Sequence, residues 1–369
     1  MTITLLTMAL GLVGASALEP EPKPTPGPAP APASASTPGP TSDKHDSERD
    51  RATVIVVVGT PGTPDYDTRF RSWAGRWRKG AEAGSAEFIA VGLEPEAGKT
   101  DHDRLRATLA EKAKGSEQTQ NQVPLWLILI GHGTFDGREA KFNLKGPDLT
   151  DLELSEWLEP IKRPVAILNC ASASGPFLTR LSGPNRIVVA ATRSGNEQNY
   201  ARIGQYLAQT ITDPAADLDK DNQVSLLEAY LTASSRVEQS YKEQAQLATE
   251  HPLLDDNGDK LGTPPDWFRG TRATRRAKDG APLDGLRANQ LVLVPSDRER
   301  TLSPDLRHKR DQLELDIAAL RDQKATLEPD DYYAKLEPLM LQLAKLYQSL
   351  PAPEPRRSDH STTKPSAVK

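Results

Sequence analysis

The sequence predicts an α/β protein: a parallel or mixed central sheet flanked by helices, with a helical hairpin at the C-terminal end. Three observations carry this reading. Apolar runs recur along the chain, "ATVIVVV" at 52–58, "LWLILI" at 125–130, "VAILN" at 165–169 and "RIVVAA" at 186–191; strands buried on both faces have this composition. Segments with helical spacing stand between them. From Leu306 onward, leucines and isoleucines recur at heptad-like intervals in two segments, 306–327 and 332–350, joined by "EPDD", the pattern of an antiparallel helix pair.

Taken in order, the elements begin after a non-domain start. Ile3 to Ala17 is apolar or small and ends in Ala15-Ser16-Ala17. This run falls short of the roughly 20 residues of a membrane span and ends in a small-x-small cleavage pattern, so residues 1–17 are expected to be a signal peptide. The protein is then periplasmic or extracellular, and membrane-bound only if the segment stays uncleaved. Residues 18–50, with "EPEPKPTPGPAPAPASASTPGP", read as a proline-rich disordered linker.

The folded domain is expected over 51–300. Its first strand leads into a helix at 66–79, where Phe70, Trp73 and Trp77 share a face. A strand at 87–91, a charged amphipathic helix at 102–114, the strand at 125–130 and a short helix at 154–159 follow. After the strands at 165–169 and 186–191 come helices at 197–210 and 226–248, and "NQLVLV" at 289–294 is expected to supply a last strand. The hairpin spans 301–350, packing on the domain or pairing with a second copy. Residues 351–369 read as a disordered tail. A net charge of −5 gives no electrostatic case for nucleic-acid binding.

Two strands end on reactive residues. "LWLILI" runs into Gly131-His132-Gly133, and "VAILN" runs into Cys170, the only cysteine of the chain. Functional groups of open parallel sheets collect at the carboxyl ends of strands, and neighbouring strands lie about 4.8 Å apart. That placement suits a thiol nucleophile (Cys170) and its base (His132). Gly131 is expected to let the chain turn off the strand. The Gly133 N–H, unshielded by a side chain, is expected to face an oxyanion together with the Cys170 N–H, and a helix start after "ASASG" to lower the thiol pKa. A serine hydrolase using Ser172 or Ser174 is disfavoured, since no G-x-S-x-G elbow is present.

Strand-"GHG", strand-"NCASASG" and strand-"ATRSG" together resemble the caspase–hemoglobinase fold, and within it legumain-like cysteine peptidases and their bacterial relatives. The resemblance covers about 52–294 and leaves out the hairpin. It implies hydrolysis of protein or peptide substrates by a Cys/His dyad, with Cys170, His132 and the oxyanion glycine Gly133 in those roles. It places Arg69 in the specificity pocket and Thr192, Arg193 and Ser194 along the substrate backbone. Legumains carry an acid two positions before the cysteine; Leu168 stands there, so asparagine preference does not carry over, and an acidic or neutral polar residue is expected. The competing reading is a non-catalytic scaffold that binds a partner through the hairpin.

"DLDKDNQVSLLE", 217–228, has the register of an EF-hand calcium loop. Positions 1, 3, 5, 7, 9 and 12 fall on Asp217, Asp219, Asp221, Gln223, Ser225 and Glu228. Asn222 holds position 6 in place of glycine and tolerates the left-handed backbone needed there. Calcium is expected, in a structural role. "DDNGD" at 255–259 reads equally as a plain turn or a second, weaker calcium site, and is not counted as a site.

Overall fold

The structure is a computed structural model that describes residues 51–114 and 123–348. The expected signal peptide, linker and tail lie outside the described residues, and among those described no helix is long and apolar enough to cross a membrane. The elements that build the sheet layer are β1 (Thr53–Val58), α1 (Pro64–Ala83), β2 (Glu87–Val91), α2 (Asp101–Lys114), β3 (Leu125–Ile130), β4 (Gly133–Phe135), β5 (Ala140–Phe142), β6 (Leu149–Thr150), α3 (Asp151–Leu158), β7 (Val165–Asn169), α4 (Gly175–Leu181), β8 (Arg186–Ala190), α5 (Ile203–Thr210), α6 (Leu226–Glu243) and β9 (Leu253–Asp255).

The main sheet has the order β2-β1-β3-β7-β8-β9. Its first five strands are parallel and β9 runs antiparallel to β8. This is the mixed α/β class expected from the apolar runs. Thr53 pairs with Leu125 and Leu125 with Val165, so the carboxyl ends of β1, β3 and β7 finish level. Chain order reverses between β1 and β3, which makes their tips the topological switch point.

Alternation along the strands divides the core into two faces. Val54, Val56, Trp126, Ile128 and Leu168 pack under Phe70, Trp73 and Trp77 of α1 and under α5 and α6. Ile55, Val57, Leu127, Leu129 and Ile167 pack under α2, α3 and α4. Each fully buried large side chain contributes about 1.5–3 kcal/mol. The helices begin on caps their sequences supply: Thr150 with Glu153, and Ser225 with Glu228, each form a reciprocal capping box.

Two expectations need correction, and one element was not foreseen. The helix expected at 197–210 starts only at Ile203, because Glu197 is committed elsewhere, its carboxylate binding Arg193 and His251. "NQLVLV" is not a strand. A short helix, α7 (Leu286–Gln290), takes its first residues and a single bridge joins Val292 to Ser225, since β9 already occupies the free edge of β8. The small antiparallel sheet β4-β5-β6 was also unanticipated; its turn is fastened by Asp136 Oδ1, which accepts from the Arg138 and Glu139 amides at 2.9 Å.

Beyond α7 lie α8 (Asp297–Arg300) and the expected hairpin, α9 (Pro304–Asp322) with α10 (Pro329–Gln348). The hairpin is tied to the domain by charge: buried Arg310 pairs with Glu299 of α8 and with Asp311, and Gln290 donates to the Asp311 carbonyl and to Glu314.

Candidate active site

His132 stands just past the β3 tip. Its Nε2 lies 3.2 Å from the carbonyl oxygen of Pro61, beyond the β1 tip. A carbonyl only accepts, so Nε2 carries the proton and Nδ1 is left as the unprotonated nitrogen of the neutral ring. A backbone acceptor thus fixes the tautomer a general base needs. The ring is also held sterically, edge-on to Tyr66 at 4.8 Å and to Phe70 at 5.4 Å between centroids, and tilted to Tyr200 at 6.1 Å.

Arg69, on the same helix as Tyr66, is brought to this cluster. It is exposed, with its guanidinium 5.8 Å from the centre of the Tyr66 ring. Burial pushes the Tyr200 phenol up to about 12, against the opposing pull of a hydrogen bond from Arg69 and of its charge. Tyr66 and Tyr200, both near Arg69, therefore border the imidazole.

Cys170 is placed differently from expectation. Its N–H donates to the Leu129 carbonyl at 3.0 Å, continuing the strand ladder, so it is not an oxyanion donor. The side chain is 2% exposed, faces the core under α1 and α5, and sits where a methyl on Gly204 would come within 2.8 Å of its Cβ. The nearest acceptor to Sγ is the Leu168 carbonyl at 3.8 Å, and no hydrogen bond joins it to His132. Burial, and secondarily the charge of Glu250, push the thiol up to about 12, opposite to the depression expected from a helix start. The start of α4 is not aimed at it: the Gly175 N–H goes to Thr192 Oγ1. The start of α5 is already capped by Glu250, which accepts from the Arg202 and Ile203 amides; burial raises that carboxyl to about 7.

The residue that meets the Gly-His-Gly loop is Ser172. Its hydroxyl donates to the Gly133 carbonyl at 3.0 Å and accepts from the Gly133 N–H at 3.2 Å. Glycine is required there because a Cβ would come within 2.2 Å of the Ser172 carbonyl oxygen. The expected open Gly133 amide is therefore engaged by a hydroxyl. Gly131 stands at the bend where the chain leaves β3, as expected, and also serves close packing, with the Phe142 ring 2.9 Å from where its Cβ would be. Ser172 lies three residues beyond the end of β7, in the turn that leads into α4; the sequence disfavoured it for want of a G-x-S-x-G elbow.

The "ATRSG" residues divide. Thr192 is fully buried, its hydroxyl accepting from Gly175 and donating to the Ser194 carbonyl, so it cannot line a substrate. Arg193 is exposed but paired with Glu197 at 3.1 Å, and Ser194 is half-buried.

The acidic loop lies apart from this edge, at the entry to α6. Asp217, Asp219 and Asp221 each present a carboxylate oxygen, all within 4.8 Å of one another. Lys220 and Asn222 have φ of 65° and 73°, so asparagine does supply the left-handed position. Gln223 and Ser225 use their side chains otherwise: Gln223 Oε1 accepts from the Ser296 amide, and the Ser225 hydroxyl caps α6. Glu228 is not free to offer two oxygens. Oε1 accepts from the Leu218 and Asp219 amides and Oε2 from the Ser225 amide and hydroxyl. Asp255 takes the amides of Gly258 and Lys260, closing a turn.

No family model matches the chain, and no curated protein matches. Among solved structures, the chain is similar to the initiator caspase Dronc of Drosophila, at 11% identity and a TM-score of 0.36 over 67% of this chain and 96% of that one. It is similar to caspase-1 from Spodoptera frugiperda, at 10% identity and a TM-score of 0.36 over 56% and 87%. The third is protein GSU0716 from Geobacter sulfurreducens, at 10% and 0.35 over 58% and 98%. Likenesses of this size concern the general layout of strands and helices and say nothing of chemistry.

Proposed function

We propose that this chain hydrolyses peptide bonds at the carboxyl edge of its sheet, with His132 as general base and Ser172 as nucleophile. The observation that carries the reading is the pair of contacts around His132: Pro61 holds the proton on Nε2, and Ser172 is bonded to the residue next to the imidazole. Base and orienting group are in contact, and the hydroxyl, bonded one residue from the imidazole, would have to turn toward Nδ1 to complete a three-part constellation of nucleophilic catalysis.

In the proposed reaction Ser172 turns its O–H from the Gly133 carbonyl to His132 Nδ1. Oγ bonds to the scissile carbonyl carbon as its proton passes to the imidazole. The carbonyl oxygen takes the negative charge, stabilised by the Gly133 N–H released from the hydroxyl. Collapse breaks the C–N bond, and the imidazolium returns the proton to the departing amine. Water, deprotonated by His132, then hydrolyses the acyl-serine. Arg69 at the rim favours an acidic residue before the scissile bond.

The cysteine endopeptidase implied by the resemblance to legumain-like enzymes uses the same base, and the non-catalytic scaffold uses neither nucleophile. One experiment separates the three. Residues 43–369 are assayed on a fluorogenic peptide library beside Ser172→Ala, Cys170→Ala and His132→Ala. A fall of at least about 10³ in kcat/KM in Ser172→Ala and His132→Ala, with Cys170→Ala within about threefold, is expected. Loss in Cys170→Ala alone of the two nucleophile variants would restore the thiol mechanism. No hydrolysis by the folded wild type, with no fluorophosphonate adduct on Ser172, would favour the scaffold.

A further inference from the structure

The sheet edge does not use the acidic loop, and the loop has a feature that its own fold leaves unexplained. Asp217 is 7% exposed. Its Oδ2 accepts from the Asn222 amide at 3.1 Å, while its Oδ1 is buried with no hydrogen-bond partner. A buried carboxylate oxygen without a donor costs about 1–3 kcal/mol or more, and this one belongs to a residue whose carboxylate closes on two others within 4.8 Å. Among the described residues no cationic side chain forms an ion pair with these three carboxylates. The only lysine of the loop, Lys220, gives its ammonium to the Asp217 backbone carbonyl.

The same loop is fastened to the segment that carries the hairpin. Leu226 donates to the Leu291 carbonyl at 2.8 Å, Ser225 bridges Val292 and bonds Asn289, and Ser296 donates to Gln223 Oε1 at 3.1 Å. Ser296 caps α8, whose Glu299 holds Arg307 and Arg310 of the hairpin. The loop's shape is therefore transmitted by direct bonds to the base of α9.

We propose that the 217–228 loop binds one calcium ion and that the ion clasps the 289–300 segment, and with it the hairpin, to the domain. Asp217, Asp219 and Asp221 supply carboxylate oxygens and Gln223 its backbone carbonyl, hard oxygen donors in the spacing calcium accepts. Glu228 stays on the loop amides and sets their curvature. This clasp is independent of the chemistry proposed at the β3 and β7 tips.

The test uses the chain from residue 43 to 369, stripped with EGTA and titrated with calcium chloride alone. Calcium is expected to bind with Kd below about 1 mM and to raise Tm by at least about 3 °C at saturation. It is also expected to slow amide exchange at 289–300 and in α9, effects absent in Asp219→Asn and Asp221→Asn. Both substitutions lie on half-exposed or exposed loop positions, and their circular dichroism must match wild type. No binding at 10 mM calcium, or equal effects from magnesium, overturns the site; binding without slowed exchange at 289–300 overturns the clasp.

Discussion

The state of Cys170 can be read directly from its reactivity. With the thiol pushed up to about 12, the thiolate fraction at pH 8 is about 10⁻⁴. The ordinary value of 9.0 gives about 10⁻¹, and because the thiolate is the nucleophile, native Cys170 is expected to react about 10³-fold more slowly than in the unfolded chain. Its 2% exposure makes that ratio a lower bound. The assay is carbamidomethylation by iodoacetamide at pH 8, quenched at intervals and read by intact mass, in buffer and in 8 M urea. A native rate within tenfold of the unfolded one would refute the reasoning. It would mean that Sγ is poised and solvent-reachable, and the Cys170/His132 dyad would return as the catalytic pair.

Other outcomes follow from the same geometry. Gly133→Ala drives a Cβ to 2.2 Å from the Ser172 carbonyl oxygen; backbone on both sides has little room to give, so urea unfolding should show a loss of about 3 kcal/mol or more. Gly204→Ala meets the Cys170 Cβ at 2.8 Å and the Trp73 ring at 3.0 Å. It should cost about 1–3 kcal/mol, and the double variant with Cys170→Ala should recover little of it, because alanine keeps the Cβ that clashes. Burial, and then the charge of Asp256, raise the Asp284 carboxyl to about 8. The folded state thus keeps a proton that the unfolded chain releases near pH 4, so stability should fall as pH rises from about 4 to about 8 and level off above. Asp284→Asn should flatten that slope in denaturation measured across the range. Arg69→Glu should reverse the preference between Asp and Lys before the scissile bond in the peptide library.

Much of the fold was legible because its strands are buried on both faces and so consist of little but apolar residues. Val54 to Val58 and Leu125 to Ile130 admit no amphipathic alternative. The two strand tips were legible for the same reason: a histidine or cysteine that follows such a run has to lie at the sheet's edge. Depth was not. Whether Cys170 looks out over the edge or back into the core depends on where the ladder stops, and the Cys170–Leu129 hydrogen bond extends it by one residue. That extension turns the thiol into the core and leaves Ser172, itself buried at 4% exposure, against the Gly-His-Gly loop. Pro61, Tyr66 and Tyr200 reach the site by packing between distant segments, which no local pattern encodes. The 217–228 loop is one contiguous pattern, and Asn222 takes the left-handed backbone expected of it; the diversion of Glu228 to four loop donors, and of the Gln223 and Ser225 side chains, needed coordinates.

The turn between α6 and β9 bears on how the molecule survives a cut. Leu247 is 89% exposed and residues 242–248 around it are exposed as well, so this is where a protease would find the chain. A break there would sever the polypeptide without parting the body. β9 would remain zipped to β8, Glu250 would remain on the start of α5, His251 on Glu197 at 2.6 Å, and the Tyr230 hydroxyl on the Pro252 and Thr263 carbonyls at 3.1 Å. Two fragments meeting at that turn should co-elute until denatured and, made apart, should reassemble on mixing. The covalent link at that point contributes concentration more than architecture.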